Sequence, residues 1–202
     1  GTSANGTSVQ FINSAGQAAG ANFGVLYPCD YCQANPKLAN VLFQNGDPLA
    51  VGSSVAGLTS IAQWNYSNKN QSPAVTTVAT ADATGTLWGT AYQRSTRTLF
   101  TSAAVRRHTG LGPAGLGGIY QTNLSTNATS LFVDVENLGV NLGNMPSNAA
   151  RFLPLTATDP STDTVAFDAV GKMGIGQIEL SQDEKTLFFT NLNDRSVYGM
   201  YI

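Results

Sequence analysis

Hydrophobic and polar residues alternate with a period of two along most of the chain, and a period of 3.6 is almost nowhere sustained. That pattern predicts an all-β protein. It places strands at Ser8–Asn13, Ala21–Leu26, Leu58–Trp64, Ala74–Thr80, Leu87–Tyr92, Thr98–Ala103, Gly118–Thr122, Ser130–Val135, Ile175–Leu180, Thr186–Thr190 and Val197–Ile202. Turn-forming runs separate them: Asn45-Gly46-Asp47-Pro48, Ser72-Pro73, Gly110 to Gly118, and Ser181-Gln182-Asp183-Glu184. Two short helical turns are expected, around Asn35–Ala39 after Asn35-Pro36 and around Thr164–Val170, and neither is long enough to carry a fold.

Two of the expected hairpins are alike. Trp88 to Ser102 aligns without gaps with Gly176 to Thr190, at an offset of 88 residues, the difference between Leu187 and Leu99. In each, a strand runs into a polar turn, and a basic residue followed by Thr-Leu-Phe opens the return strand: Arg97-Thr98-Leu99-Phe100 and Lys185-Thr186-Leu187-Phe188. A third strand follows, containing Gly118-Ile119-Tyr120 in one case and Val197-Tyr198-Gly199 in the other. Adjacent antiparallel strands whose alternate side chains pack on neighbouring sheets are how a propeller blade reads. The competing reading is a chance likeness between two hairpins. The repeat predicts Leu99 and Leu187 in matching buried positions.

Those residues also carry a family resemblance. Trp88-Gly89 to Ser102, Arg107-His108-Thr109-Gly110 to Tyr120, Gly171-Lys172-Met173-Gly174-Ile175-Gly176 and Asp183 to Arg195 resemble the propeller-like region of large bacterial surface proteins carrying SdrD B-like repeats. Ser8-Val9-Gln10-Phe11 to Asn22-Phe23-Gly24-Val25 is similar to the closing strands of such a repeat. The resemblance implies an exported cell-surface protein with a structural or adhesive, non-enzymatic role. It divides the chain into an N-terminal β arm at 1–28, a connector at 29–48 and a blade-like β domain at 49–202. A closed propeller takes about four to eight blades, whereas this chain offers two clear units and a partial third. Either it is part of something longer, or its sheet edges meet other copies of itself. The second case predicts a homo-oligomer, and a head-to-tail filament or tube rather than a closed ring, formed through the arm and the open edges.

Composition narrows the function classes. Of 202 residues only 11% are charged, with ten Lys and Arg against twelve Asp and Glu, and only Arg106 and Arg107 adjacent among the basic residues. No basic face follows from this, so nucleic acid is not an expected partner. No apolar run reaches the ~20 residues of a bilayer-spanning helix. Thr, Gly and Asn together fill 60 positions, a neutral strand-and-turn composition that points outside the cytosol, in line with the extracellular or cell-surface location the resemblance implies.

The candidate chemistry is sparse. Cys29-Asp30-Tyr31-Cys32 holds the only two cysteines. They are read as a disulfide in an oxidising compartment, against the alternatives of two free thiols or half of a metal site. His108 is the sole histidine, so any Ser-His-Asp chemistry would run through it. The plain alternative is a loop histidine hydrogen-bonded to turn backbone. Gly110 to Gly118 lacks the Gly-Lys-Ser/Thr ending of a phosphate loop and reads as a long inter-strand loop. Asp134 and Glu136 share one strand face by alternation, where they would seat a glycosidase pair or calcium. Asp159 with Asp163, and Asp183 with Glu184, sit in turns. Trp64, Trp88, Tyr66, Tyr92, Tyr120, Tyr198 and Tyr201 are expected mainly in the core, exposed rows of them being the alternative that would suit a glycan. No catalytic residue, metal ligand or cofactor is assigned.

Overall fold

A computed structural model of the protein describes residues 35–68 and 74–202. The strands expected at Ser8–Asn13 and Ala21–Leu26, and the Cys29–Cys32 pair, lie outside the described residues. The rest is all-β: ten strands in three antiparallel sheets joined in chain order, with short helical segments between them. Sheet 1 holds β1 (Lys37–Val41), β2 (Thr59–Asn65) and β3 (Thr76–Thr80). Sheet 2 holds β4 (Leu87–Gln93), β5 (Thr98–Ala103), β6 (Gly118–Asn123) and β7 (Ala128–Asp134). Sheet 3 holds β8 (Ile175–Leu180), β9 (Thr186–Asn191) and β10 (Ser196–Tyr201). The sheets stack like blades and do not close into a ring.

Sheets 2 and 3 repeat each other residue by residue. Leu87 pairs with Ala103 and Thr90 with Thr101, with a bulge between. Adding 88 to each number gives Ile175 with Asn191 and Ile178 with Phe189, again with a bulge between. A bulge inserts one residue and so reverses which face the following side chains take. In sheet 2 it sends Leu87 to the face shared with sheet 1 and Ala91 to the face shared with sheet 3, although plain alternation would put both on one face. In sheet 3 it lets Ile175 and Ile178 face the same way. The third strands match at an offset of 78 instead, Thr98 pairing with Asn123 as Thr186 pairs with Tyr201. The ten-residue difference lies in the β5–β6 loop, 104–117, against the β9–β10 turn, 192–195.

This register builds two cores on either side of sheet 2. Leu87, Leu99 and Tyr120 pack against Ile61, Val78 and Ala79 of sheet 1. Ala91, Phe100 and Ile119 pack against Ile175, Ile178, Leu187 and Phe189 of sheet 3. Leu99 and Leu187 are both buried, each on the face of its sheet that meets the preceding one. Between sheets 2 and 3 the backbones come close at Gly89. A Cβ there would lie 2.6 Å from Ser102 Oγ and 2.8 Å from Gly176 O. The Ser102 hydroxyl bridges the sheets, accepting from Gly89 N–H and donating to Gly176 O at 3.3 Å.

Local signals fail at one point. Asn35-Pro36 reads as a helix start, yet Lys37–Val41 is strand β1, because pairing Leu38 with Trp64 and Val41 with Ile61 satisfies the backbone of both strands. This strand also falls inside the stretch expected as a connector. The four-residue helix α1 (Ala81–Thr84) is unanticipated, while α2 (Thr164–Ala169) forms where a helical turn is expected.

The close approach at Gly89 yields a direct test. Gly89→Val wedges a branched side chain between two backbones, and should cost about 1–3 kcal/mol by the usual penalty for overpacking. Gly57→Ala, where nothing lies within 4 Å of the added carbon, should change the urea midpoint little. Equal midpoints for the two variants would refute the inter-sheet contact.

Candidate functional site

Three long segments, 42–58, 104–117 and 135–174, gather around one buried ion pair. Arg151 Nη2 lies 2.7 Å from Asp163 Oδ2, and both side chains are fully buried. Arg151 Nε donates to Asp163 Oδ1 at 3.1 Å, so the contact is a two-bond fork. The same guanidinium donates to the carbonyls of Arg106 and Thr109, and the backbone N–H of His108 donates to Asp163 Oδ2 at 2.7 Å. Burial pushes the Asp163 carboxyl up, but the Arg151 and His108 hydrogen bonds and the Arg151 charge outweigh it, leaving the group below its ordinary range. Asn148 acts as a second clasp. Its amide donates to Asp47 Oδ1 and to Leu111 O, and its oxygen accepts from Leu111 N–H.

His108 sits at this junction with φ of +72°. Its Nδ1 lies 2.8 Å from Ser161 Oγ, so the ring meets a hydroxyl and not the turn backbone expected for it. Ser161, His108 and Asp163 are neighbours, but not in relay order. A relay needs the carboxylate on the imidazole, whereas Asp163 is engaged by Arg151 and by backbone N–H. The geometry clasps one loop to another. Arg107 reinforces it, donating from Nε and Nη2 to Thr162 O at 2.9 and 2.7 Å.

The glycine-rich loop is a packed connection. Leu111 and Leu116 are buried in the core, and a Cβ on Gly110 would meet Pro48 at 2.3 Å. The carboxylates divide between turns and caps. Asp134 ends β7 and Glu136 lies in the 3₁₀ turn Val135–Leu138, so the expected shared strand face does not form. Asp134 Oδ1 accepts from Glu136 N–H, and Oδ2 from Asn137 Nδ2. Partial burial, with the Asp134 charge second, raises the Glu136 pKa against a hydrogen bond from Gly117 N–H. Glu184 accepts from the N–H groups of Arg94 and Ser95, tying the β8–β9 turn to the β4–β5 turn. Hydrogen bonding by the Ser95 side chain first, then by the Ser95 and Arg94 N–H groups, holds its pKa low. Among the described residues no three His, Cys, Asp or Glu side chains group to hold a metal. Two shallow hollows exist, one of about 330 Å³ beside Tyr120 and Asp134, the other of about 360 Å³ between Leu49, Leu116, Glu136 and Met145.

The aromatics depart from expectation, since of those singled out only Tyr120 is fully buried. Trp88 is 58% exposed and stacks at 6.3 Å on Phe43, whose other partner is the Arg106 guanidinium 4.0 Å from its ring. Tyr198 stacks on Phe189 at 5.3 Å. Tyr201 is 89% exposed.

The most distinctive surface is the outer face of sheet 3. Phe188 and Val197 occupy the positions that Phe100 and Ile119 hold in sheet 2. Phe100 and Ile119 are buried under sheet 3, whereas Phe188 is 41% and Val197 67% exposed. The 88-residue alignment of Phe188 with Phe100 already carried the signal for this face. Arg151 had no such signal, because nothing local links it to Asp163.

Against known proteins, this chain is similar to two colossins. Colossin-D of Dictyostelium discoideum is 25% identical over 167 residues, 78% of this chain and 17% of that protein. Colossin-B of the same organism is 29% identical over 121 residues, 57% of this chain and 3% of that protein. The chain thus spans a small fraction of the length of the curated relatives it matches. No protein-family model matches it, and no solved structure does.

The ion pair predicts a pH-dependent stability. Asp163→Asn leaves Arg151 buried without its counter-charge and should cost about 3–5 kcal/mol at pH 7. Because folding lowers the Asp163 pKa, its contribution is complete above the ordinary carboxylate value near 3.8 and is lost as pH falls through the folded value. Urea unfolding at pH 7 and pH 3 should therefore show a smaller gap between wild type and variant in acid. A gap that is constant with pH contradicts this.

Proposed function

We propose that this protein is a non-catalytic structural or adhesive component of an extracellular or cell surface, working by self-association into a filament, tube or sheath. One observation carries the reading: the outer face of sheet 3 exposes Phe188 and Val197 at the positions where sheet 2 buries Phe100 and Ile119, although Glu179 there takes the place of Ala91. An exposed apolar patch on a sheet marks an interaction surface. The scarcity of charge supports it, since little electrostatic repulsion opposes association. The likeness to colossins, over stretches that are small parts of those proteins, is compatible with a structural role. A head-to-tail contact between unlike faces propagates unless its rotation closes.

A second reading is a secreted binding module for a glycan or small ligand, favoured by the exposure of Trp88 and Tyr92.

Light scattering across a concentration series separates them. The intact chain should gain mass with concentration, and both a chain lacking residues 1–28 and the double variant Phe188→Asp, Val197→Asp should gain less. A monomer at every concentration overturns the self-association reading, and retention of that monomer on a glycan array establishes the second.

A further inference from the structure

Three separate segments of chain meet in one aromatic stack. Trp88, at the bulge of β4, lies nearly parallel to Phe43, with ring centroids 6.3 Å and planes 16° apart. The Arg106 guanidinium lies over the same Phe43 ring, 4.0 Å from its centroid. Both partners of Trp88 are anchored. Leu42 N–H donates to Ser60 O and Gln44 Nε2 to Thr59 O, which fixes Phe43 from either side. Arg106 O accepts from Arg151 Nη2 and from Thr109 Oγ1, which ties the backbone of Arg106 to the buried ion pair. Phe43 is half-buried, whereas Trp88 and Arg106 are exposed.

A near-parallel stack occupies one face of the indole, and at 58% exposure the other face of Trp88 is open. The Arg106 guanidinium touches the Phe43 ring and donates to no described residue, and the salt bridge of Arg151 with Asp163 is the only one among the described residues. Its neighbour Arg107 is by contrast spent on Thr162 O. Arg106 therefore presents an uncompensated charge and a planar fork of donors beside an open aromatic face. Tyr92, 48% exposed on the same strand, is the cross-strand partner of Leu99 and takes the face toward sheet 1, the sheet whose β1–β2 connection carries Phe43.

We infer that Trp88 and Arg106 form a binding site for a saccharide bearing a carboxylate, a uronate-type sugar. The indole takes the C–H face of the sugar ring, and the guanidinium takes the carboxylate in a two-bond fork. The inference rests on the glycan-binding reading and names its ligand class, and it holds whether or not the chain self-associates. Charge complementarity selects the occupant. A neutral sugar leaves the Arg106 fork unused. A nucleic acid, whose bases also stack on aromatic rings, needs a basic track along its phosphates, which ten Lys and Arg against twelve Asp and Glu do not supply. Because the stack is already ordered, little further ordering opposes binding. Tyr92 extends the site along β4 for an oligosaccharide.

Calorimetric titration of the full chain with oligosaccharides of polygalacturonate, alginate and hyaluronan, each against its carboxyl-reduced neutral form, tests this. At least one acidic oligosaccharide should bind about tenfold or more tightly than its neutral form, the difference a charge-assisted fork makes. Trp88→Ala should abolish that binding, and Trp88→Leu replaces it should the first variant not fold. Arg106→Gln should lower binding to the level of the neutral form without moving the urea midpoint, because Arg151 holds the Arg106 carbonyl and not its side chain. Arg106→Lys, which keeps the charge without the fork, should recover part of the loss. Acidic and neutral forms bound equally, with Trp88→Ala losing both, overturn the carboxylate assignment and leave the glycan reading standing. Acidic binding that the Trp88 and Arg106 variants retain overturns the site. A single-stranded oligonucleotide bound through Trp88 more tightly than every saccharide overturns the ligand class. A chain that retains no glycan, on these probes or on an array, overturns both the inference and the glycan reading.

Discussion

A β-sheet of this kind has two faces, and each apolar face must be covered. Sheet 2 meets that requirement twice, against sheet 1 through Leu87, Leu99 and Tyr120 and against sheet 3 through Ala91, Phe100 and Ile119. Nearly everything else follows from serving both faces with one set of strands. The bulge near the start of β4 is needed because strict alternation cannot send Leu87 and Ala91 to opposite sides. Glycine is needed at 89 because the two sheets approach there to within the radius of a side chain. The Glu184 carboxylate, accepting from Arg94 and Ser95, locks the neighbouring hairpin tips in step.

Burial of Arg151 and Asp163 plays a different part. Sheets that stack leave long crossovers at their ends, and loops that run inward carry polar backbone with them. The fork from Arg151 to Asp163, extended to the carbonyls of Arg106 and Thr109 and to the His108 N–H, satisfies several of those groups at one point. A buried pair of this sort is poor evidence for net stability, since two charges must be desolvated to form it. What it does provide is a unique arrangement of loops. The left-handed backbone at His108 and Asp163 is held by these bonds.

The functional reading comes from surfaces and not from a reactive cluster. The sole histidine, the carboxylates of Asp134, Asp163 and Glu184, and the glycine-rich loop are taken up by loop clasps, caps and close packing. Among the described residues, Phe188 and Val197 on the outer side of sheet 3 stay exposed. Sheet 3 follows the first three strands of sheet 2 and places Phe188 and Val197 where sheet 2 buries Phe100 and Ile119, with Glu179 in the place of Ala91.

Much of this was legible along the chain. Alternation located nine of the ten described strands to within about two residues, because a strand with one or both faces in a core writes its burial into every second position. The 88-residue likeness marked sheets 2 and 3 as equivalents, and with them the paired positions of Leu99 and Leu187. Strand β1 escaped, because Leu38 and Val41 do not alternate cleanly and its pairing partner lies far along the chain. The shared face expected of Asp134 and Glu136 also failed, since a side-chain cap ended the strand between them. The sequence by itself determined the all-β class, the turns and the repeat, all of which are local or periodic properties. Only the tertiary structure decided the bulge that assigns Leu87 and Ala91 to different cores, the Arg151–Asp163 clasp, and the exposure of Phe188 where Phe100 is buried. Each of those depends on what lies across a sheet or a loop from the residue, which the order of residues along the chain does not contain.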